Sequence, residues 1–226
     1  MRYRISTRWG VAAVVMQVVT GLLAWPAAGA AQLLPAPTQT LSNTIQAVTG
    51  QAAAVQTVAG QAAAVRATVL GLLGGTTTAL ADTGTLSGAT DARNASQLTG
   101  NIPSLVTGEA LHATTIGWPD QVASEASLAG LALSVAGTGI GADFVKAQAL
   151  AILNGGSFGT AYIDNLTING VLVPVSGAPN QTISVPGGQV VINEQQSSAS
   201  GIVVNALHVI VNGVADVVIG SARAGI

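Results

Sequence analysis

From about Gln61 to Ile226, short runs rich in Val, Ile, Leu and Thr alternate with Gly, Asn, Asp and Pro. This punctuation constrains the fold more than any other feature. Runs of that length and β-branched content suit half-buried strands, and the residues between them close turns. Candidate strands are 76–81, 105–112, 126–135, 144–152, 161–168, 171–175, 181–185, 190–193, 202–211 and 216–222. Asn169-Gly170 and Asn212-Gly213 are hairpin signals between apolar runs, and Pro186-Gly187-Gly188 marks another turn. Many short strands at this spacing predict an all-β domain, an antiparallel β-sandwich or an irregular barrel. Two stretches read both ways: 62–70 continues a helix or begins a strand, and 143–153 contains good helix formers. Strand is the reading adopted for each.

Charge is scarce. Seven basic and nine acidic residues make 7% of the chain, against a typical ~25%. That excludes a basic nucleic-acid binder, a charged disordered tail and a long coiled coil. It also leaves few groups for acid–base chemistry. The absence of Cys excludes a disulfide framework, zinc–thiolate sites and a Cys nucleophile.

The first 30 residues read as a secretory leader. Arg2, Arg4 and Arg8 precede an uncharged, mostly apolar run from Trp9 to Trp25, followed by Pro26 and the small-x-small site Ala28-Gly29-Ala30. Cleavage there would remove three basic residues and leave four against nine acidic, a formal charge of −5. The stretch 202–219 is interrupted by Asn205, His208, Asn212 and Asp216, and reads as strands, not as a membrane span. The expected product is exported, extracellular or held at the cell surface, with no membrane span once the leader is removed.

Residues 31–60 form a second region. A Pro-containing linker, 31–40, leads to small and apolar residues at 41, 45, 48, 52, 55, 59 and 62, the spacing of a helical stripe. Two ten-residue units, GQAAAVQTVA and GQAAAVRATV, overlap it, and Gly50 and Gly60 weaken any helix. The expectation is a weakly helical or flexible arm over 38–59, with a β-rich domain from 61 to 226.

Few residues suggest chemistry. His208 lies near Asn205, with Asp216 across the Asn212-Gly213 turn, yet no G-x-S-x-G nucleophile elbow accompanies them. Cross-strand satisfaction of the histidine is the favoured reading. Asn193-Glu194-Gln195 sits at a strand end, where Glu194 is either an acid–base group or part of a polar turn. The remaining carboxylates lack the spacing of a calcium loop. Lys146, the only lysine, invites an Asn–Lys covalent link assisted by Glu194 or Asp143. Asn94, Asn165 and Asn180 begin glycosylation-type triplets that read as turns and strand ends. Trp118, in Trp118-Pro119-Asp120, is the candidate ligand contact. No cofactor, metal or catalytic set is expected.

Several segments carry a family likeness: Ser124 to Ala129, Ala142 to Val145, Asn165 to Gly170, Pro179 to Thr182, Val191 to Gln195, Val204 to Val209 and Val214 to Ile219. Together they resemble the choice-of-anchor P family of exported bacterial surface proteins, over about 61–226. The resemblance implies a secreted or wall-associated protein and names no activity. Asn193, Glu194, Gln195, Asn205, His208 and Asp216 are its motif positions, with structural roles expected. The family's Cys pair and a C-terminal anchor are both missing from this sequence. The resulting expectation is a structural or interaction module without catalysis, its partners being itself or other surface and matrix components. The rival is a monomeric carbohydrate- or ligand-binding β-domain.

Overall fold

A computed structural model describes residues 57–71 and 74–226. Among them are thirteen strands: β1 (Ala59–Gly71), β2 (Gly74–Asp82), β3 (Ala92–Ile102), β4 (Val106–Gly117), β5 (Gln121–Val135), β6 (Thr138–Ile152), β7 (Gly156–Asp164), β8 (Thr167–Ile168), β9 (Val171–Leu172), β10 (Gln181–Val185), β11 (Gly188–Ser198), β12 (Gly201–Val211) and β13 (Ala215–Gly225). They form two antiparallel sheets packed face to face. Sheet A runs β10-β11-β12-β13-β1-β2; sheet B runs β3-β4-β5-β6-β8-β9, with β7 also paired to β6. The architecture is a sandwich, with no closed barrel.

The turns follow from local chemistry. Asn169 and Gly170 both take left-handed φ, 50° and 76°, and join Ile168 to Val171 as a two-residue hairpin. Pro186 fixes one turn position and Gly187 supplies φ 73° at the next, joining Val185 to Gly188. Asn212-Gly213 opens into a three-residue loop in which Gly213 has φ 72° and Val214 N donates to Val211 O.

Each sheet has a transverse crease. In sheet A, backbone pairing skips one row, Asn193–Ala206–Gly220–Ala64–Ala81, while the pairs on either side keep register. Alternate members of that row are left-handed: Asn193 (φ 51°), Gly220 (φ 64°) and Ala81 (φ 47°). One such residue reverses which face the following side chains take, as a bulge does. Accordingly Ala62 and Val65, three residues apart, both face the core, as do Val204 and Leu207. In sheet B the interruption falls at Ala110 (φ 47°) and Gly130 (φ 57°), where the β4–β5 register shifts.

The creases divide the interior. On one side Val65, Leu207, Val209, Val217 and Ile219 meet Val106, Leu131, Leu133 and Ile140 in a large aliphatic cluster. On the other, Val122, Leu128, Ile202 and Val204 continue that cluster, and a patch of small residues lies beside them. Ala62, Ala113 and Ala126 form their own cluster, and their strand partners Ala147 and Ala222 are buried members of the large one. There the sheets approach closely enough for Ser124 Oγ to donate to Arg223 O at 2.6 Å, with Thr115 Oγ1 2.7 Å from Ser124 Oγ.

Some expectations are corrected. The strand from Ala92 to Ile102 is missing from the sequence reading; it is an exposed edge strand without apolar alternation. The stretch 161–168 divides into the end of β7 and β8, and 171–175 keeps only Val171–Leu172 as strand. The folded domain already includes Ala59 and Gly60, which pair with Gly225 and Ala224, so the stripe positions at 59 and 62 belong to a strand. The rest of the expected arm, and the leader, lie outside the described residues. The stretch 143–153 is strand up to Ile152.

Candidate functional site

Four motif side chains and Ser221 form a continuous polar chain on the outer face of sheet A. Ser221 Oγ donates to Asn205 Oδ1 at 2.8 Å, and Asn205 Nδ2 donates to Glu194 Oε2 at 2.6 Å. The same Glu194 oxygen is 2.9 Å from His208 Nδ1, while His208 Nε2 is 3.0 Å from Asp216 Oδ1. The crease makes this possible. Asn205 and His208 are three residues apart, which in a regular strand puts them on opposite faces; the reversal at Ala206 puts both outside. Burial works to raise the Glu194 carboxyl, but the Asn205 bond, the His208 charge and bonds from Gln196 and His208 outweigh it. The carboxyl is held below the ordinary glutamate value. A second pair, Arg66 Nη2 and Asp82 Oδ2 at 2.9 Å, sits on the same face and also spans the crease.

Asn193 and Gln195 point the other way. Asn193 Nδ2 donates to Gly177 O at 3.0 Å, and Gln195 Nε2 donates to Asn193 Oδ1 and to Gly159 O in sheet B. A Cβ on Gly159 would run into Val204 and Ile202, so the glycine permits this close contact between sheets. The motif thus divides into an outward cluster and an inward staple.

As a reaction centre the cluster lacks a nucleophile. Ser221 is bonded to Asn205, and both His208 nitrogens face carboxylates. Among the described residues no group of three or more His, Cys, Asp or Glu is arranged to hold a metal ion. The Lys146 link is also unsupported by position. Lys146 pairs across β6 with Ser127 and Tyr162 in sheet B, whereas Glu194 lies on β11 in sheet A; Asp143 instead accepts from Asn165 Nδ2 at 2.7 Å.

A second feature escaped the sequence reading. The outer face of sheet B carries a cavity of about 530 Å³ lined by residues of β4, β5, β6 and β7. Strand pairing arranges its walls in rows. Ile116, Ala123, Leu150 and Phe158 form one apolar row across four strands. Thr114, Glu125, Gln148 and Thr160 form the adjoining polar row. Gln148 Nε2 donates to Glu125 Oε2 at 2.6 Å and fixes the carboxylate. Trp118 is 37% exposed in the β4–β5 turn, two residues beyond Ile116, and does not line the cavity. The available signal was the in-step alternation of 114/116, 123/125, 148/150 and 158/160, which needs the strand register to be recognised.

No family model, curated protein or solved structure matches the chain. Among the described residues no helix is long and apolar enough to cross a membrane.

Proposed function

We propose that this chain is an exported bacterial surface or matrix protein whose β-sandwich serves as a structural or interaction module without catalysis. The observation that carries the non-catalytic reading is the closure of the Ser221–Asn205–Glu194–His208–Asp216 chain. Each side chain of this cluster is engaged by another member, and no hydroxyl is presented to the His208 imidazole. Export rests on the leader-like first 30 residues and on the resemblance to choice-of-anchor P proteins.

Self-assembly by strand addition from an N-terminal arm belongs to this reading. Residues 59–65 lie inside sheet A, so a strand-adding arm is confined to 31–58. The test is to express the full chain in a bacterial host, fractionate the culture and measure light scattering of the product. The expected result is a shortened product outside the cytoplasm that self-associates with concentration. An unprocessed cytoplasmic product sinks the export reading, and a concentration-independent monomer sinks the assembly reading. A ligand-binding module is the second reading, favoured by the placement of the aromatic residues.

A further inference from the structure

Aromatic residues are rare in this chain, and the fold places them unusually. Beyond the leader there are four: Trp118, Phe144, Phe158 and Tyr162. None is in the buried core, although aromatics ordinarily dominate core packing. Three lie on neighbouring strands β6 and β7 of sheet B. Phe158 and Tyr162 are 57% and 56% exposed, and Phe144 packs against Tyr162 with ring centroids 6.2 Å apart. Phe158 is also a wall of the sheet B cavity.

We propose that the outer face of sheet B across β4–β7 binds a glycan that is neutral or amino-substituted, not anionic. This rests on the second, ligand-binding reading above and specifies its face and ligand class. A pyranose ring has an apolar C–H face and an edge of hydroxyls. The two rows of the cavity supply the matching surfaces two residues apart along each strand. Ile116, Ala123, Leu150 and the Phe158 ring offer the apolar contact. Thr114, Glu125, Gln148 and Thr160 offer hydrogen bonds.

The balance of that polar row favours a ligand rich in donors. Gln148 uses its amide nitrogen on Glu125, leaving the Gln148 carbonyl oxygen and the second Glu125 oxygen as acceptors. Glu125 is the one ionisable residue lining the cavity, and no Lys or Arg lines it. An anionic sugar or a phosphate would therefore meet an unneutralised carboxylate, whereas hydroxyl or ammonium donors are complemented. The rows cross four strands, roughly 14 Å at ordinary strand spacing, so several linked rings fit across the face. The cavity is within the usual size of a ligand site and its walls are mostly apolar, with few polar groups.

The test is calorimetric titration of the full chain with cellohexaose, chitohexaose, its deacetylated form and, as the anionic control, hexagalacturonate. At least one of the first three should bind and the control should not. Phe158→Ala and Glu125→Ala should each weaken binding by about tenfold, the scale of one aromatic or hydrogen-bonded contact. His208→Ala, on the other sheet, should leave affinity unchanged. Absence of binding to all three sugars, or equal binding of the anionic one, overturns the proposal. Binding that survives both sheet B substitutions but disappears in Trp118→Ala overturns this face while leaving the ligand-binding reading standing. Circular dichroism of each variant separates lost binding from lost folding.

Discussion

The interiors on the two sides of the creases share one aliphatic cluster, but only one of them also carries a separate patch of small residues. On one side of the creases, branched aliphatic side chains such as Leu207, Val209, Leu133 and Ile140 fill the space between layers. On the other, Val122, Leu128 and Val204 do the same, but beside them Ala62, Ala113 and Ala126 form a patch of small side chains, and Ser124 reaches the opposite backbone directly. Hydrophobic burial scales with apolar area, so the aliphatic cluster gains more from bulk. The small-residue patch gains from close approach and from a satisfied polar bridge beside it.

The contrast is open to direct attack. Leu207 is fully buried in the aliphatic cluster. Leu207→Ala should cost about 2–5 kcal/mol, from lost burial plus the cavity left behind, measured by urea unfolding. In the small-residue patch the sensitive direction reverses. Ala126→Leu adds volume where none is free and should cost about 1–3 kcal/mol in the same experiment. A neutral Ala126→Leu would mean that the small-residue patch can open.

The smallest expected effect tests the side-chain pairs across the sheet A crease. Burial pushes both carboxyls upward, but Glu194 is held low by Asn205, His208 and Gln196, and Asp82 by Gly84 N–H, Gln61 and Arg66. Their folded values therefore lie below their unfolded ones. The unfolded chain takes up protons first as pH falls, so the stabilisation is complete above about pH 4–5, where the free carboxyls are ionised. It is lost as pH drops through the folded values. Glu194→Gln should flatten the acid limb of a stability-versus-pH curve. An acid limb identical to that of the unsubstituted chain would mean that the pair contributes nothing at the crease.

These features differ in how well the sequence discloses them. The hairpins at Asn169-Gly170 and Pro186-Gly187 are legible because the residues themselves prefer the required backbone conformations. Buried strands such as Gly201–Val211 are legible because they must be apolar. Ala92–Ile102 is not, since an edge strand with Leu98 84% exposed carries little imprint of a core. The polar cluster is partly legible. His208 and Asp216 are brought near each other by a short loop, but strict alternation sets Asn205 and His208 on opposite faces. Only the left-handed neighbours of Ala206 reveal that they share one. The cavity on sheet B was hidden for a related reason: its walls come from four strands whose mutual register no single run displays.

The scarcity of positive charge has a consequence for attack by proteases. Every basic residue beyond position 30 lies within a strand: Arg66 in β1, Arg93 in β3, Lys146 in β6 and Arg223 in β13. A trypsin-like protease needs a Lys or Arg on a segment free to enter its cleft. No turn or loop in the described sandwich offers one, so such cleavage first requires a strand to leave its sheet. The arrangement of a few cations thereby makes resistance to one broad class of digestive enzyme a property of folding itself.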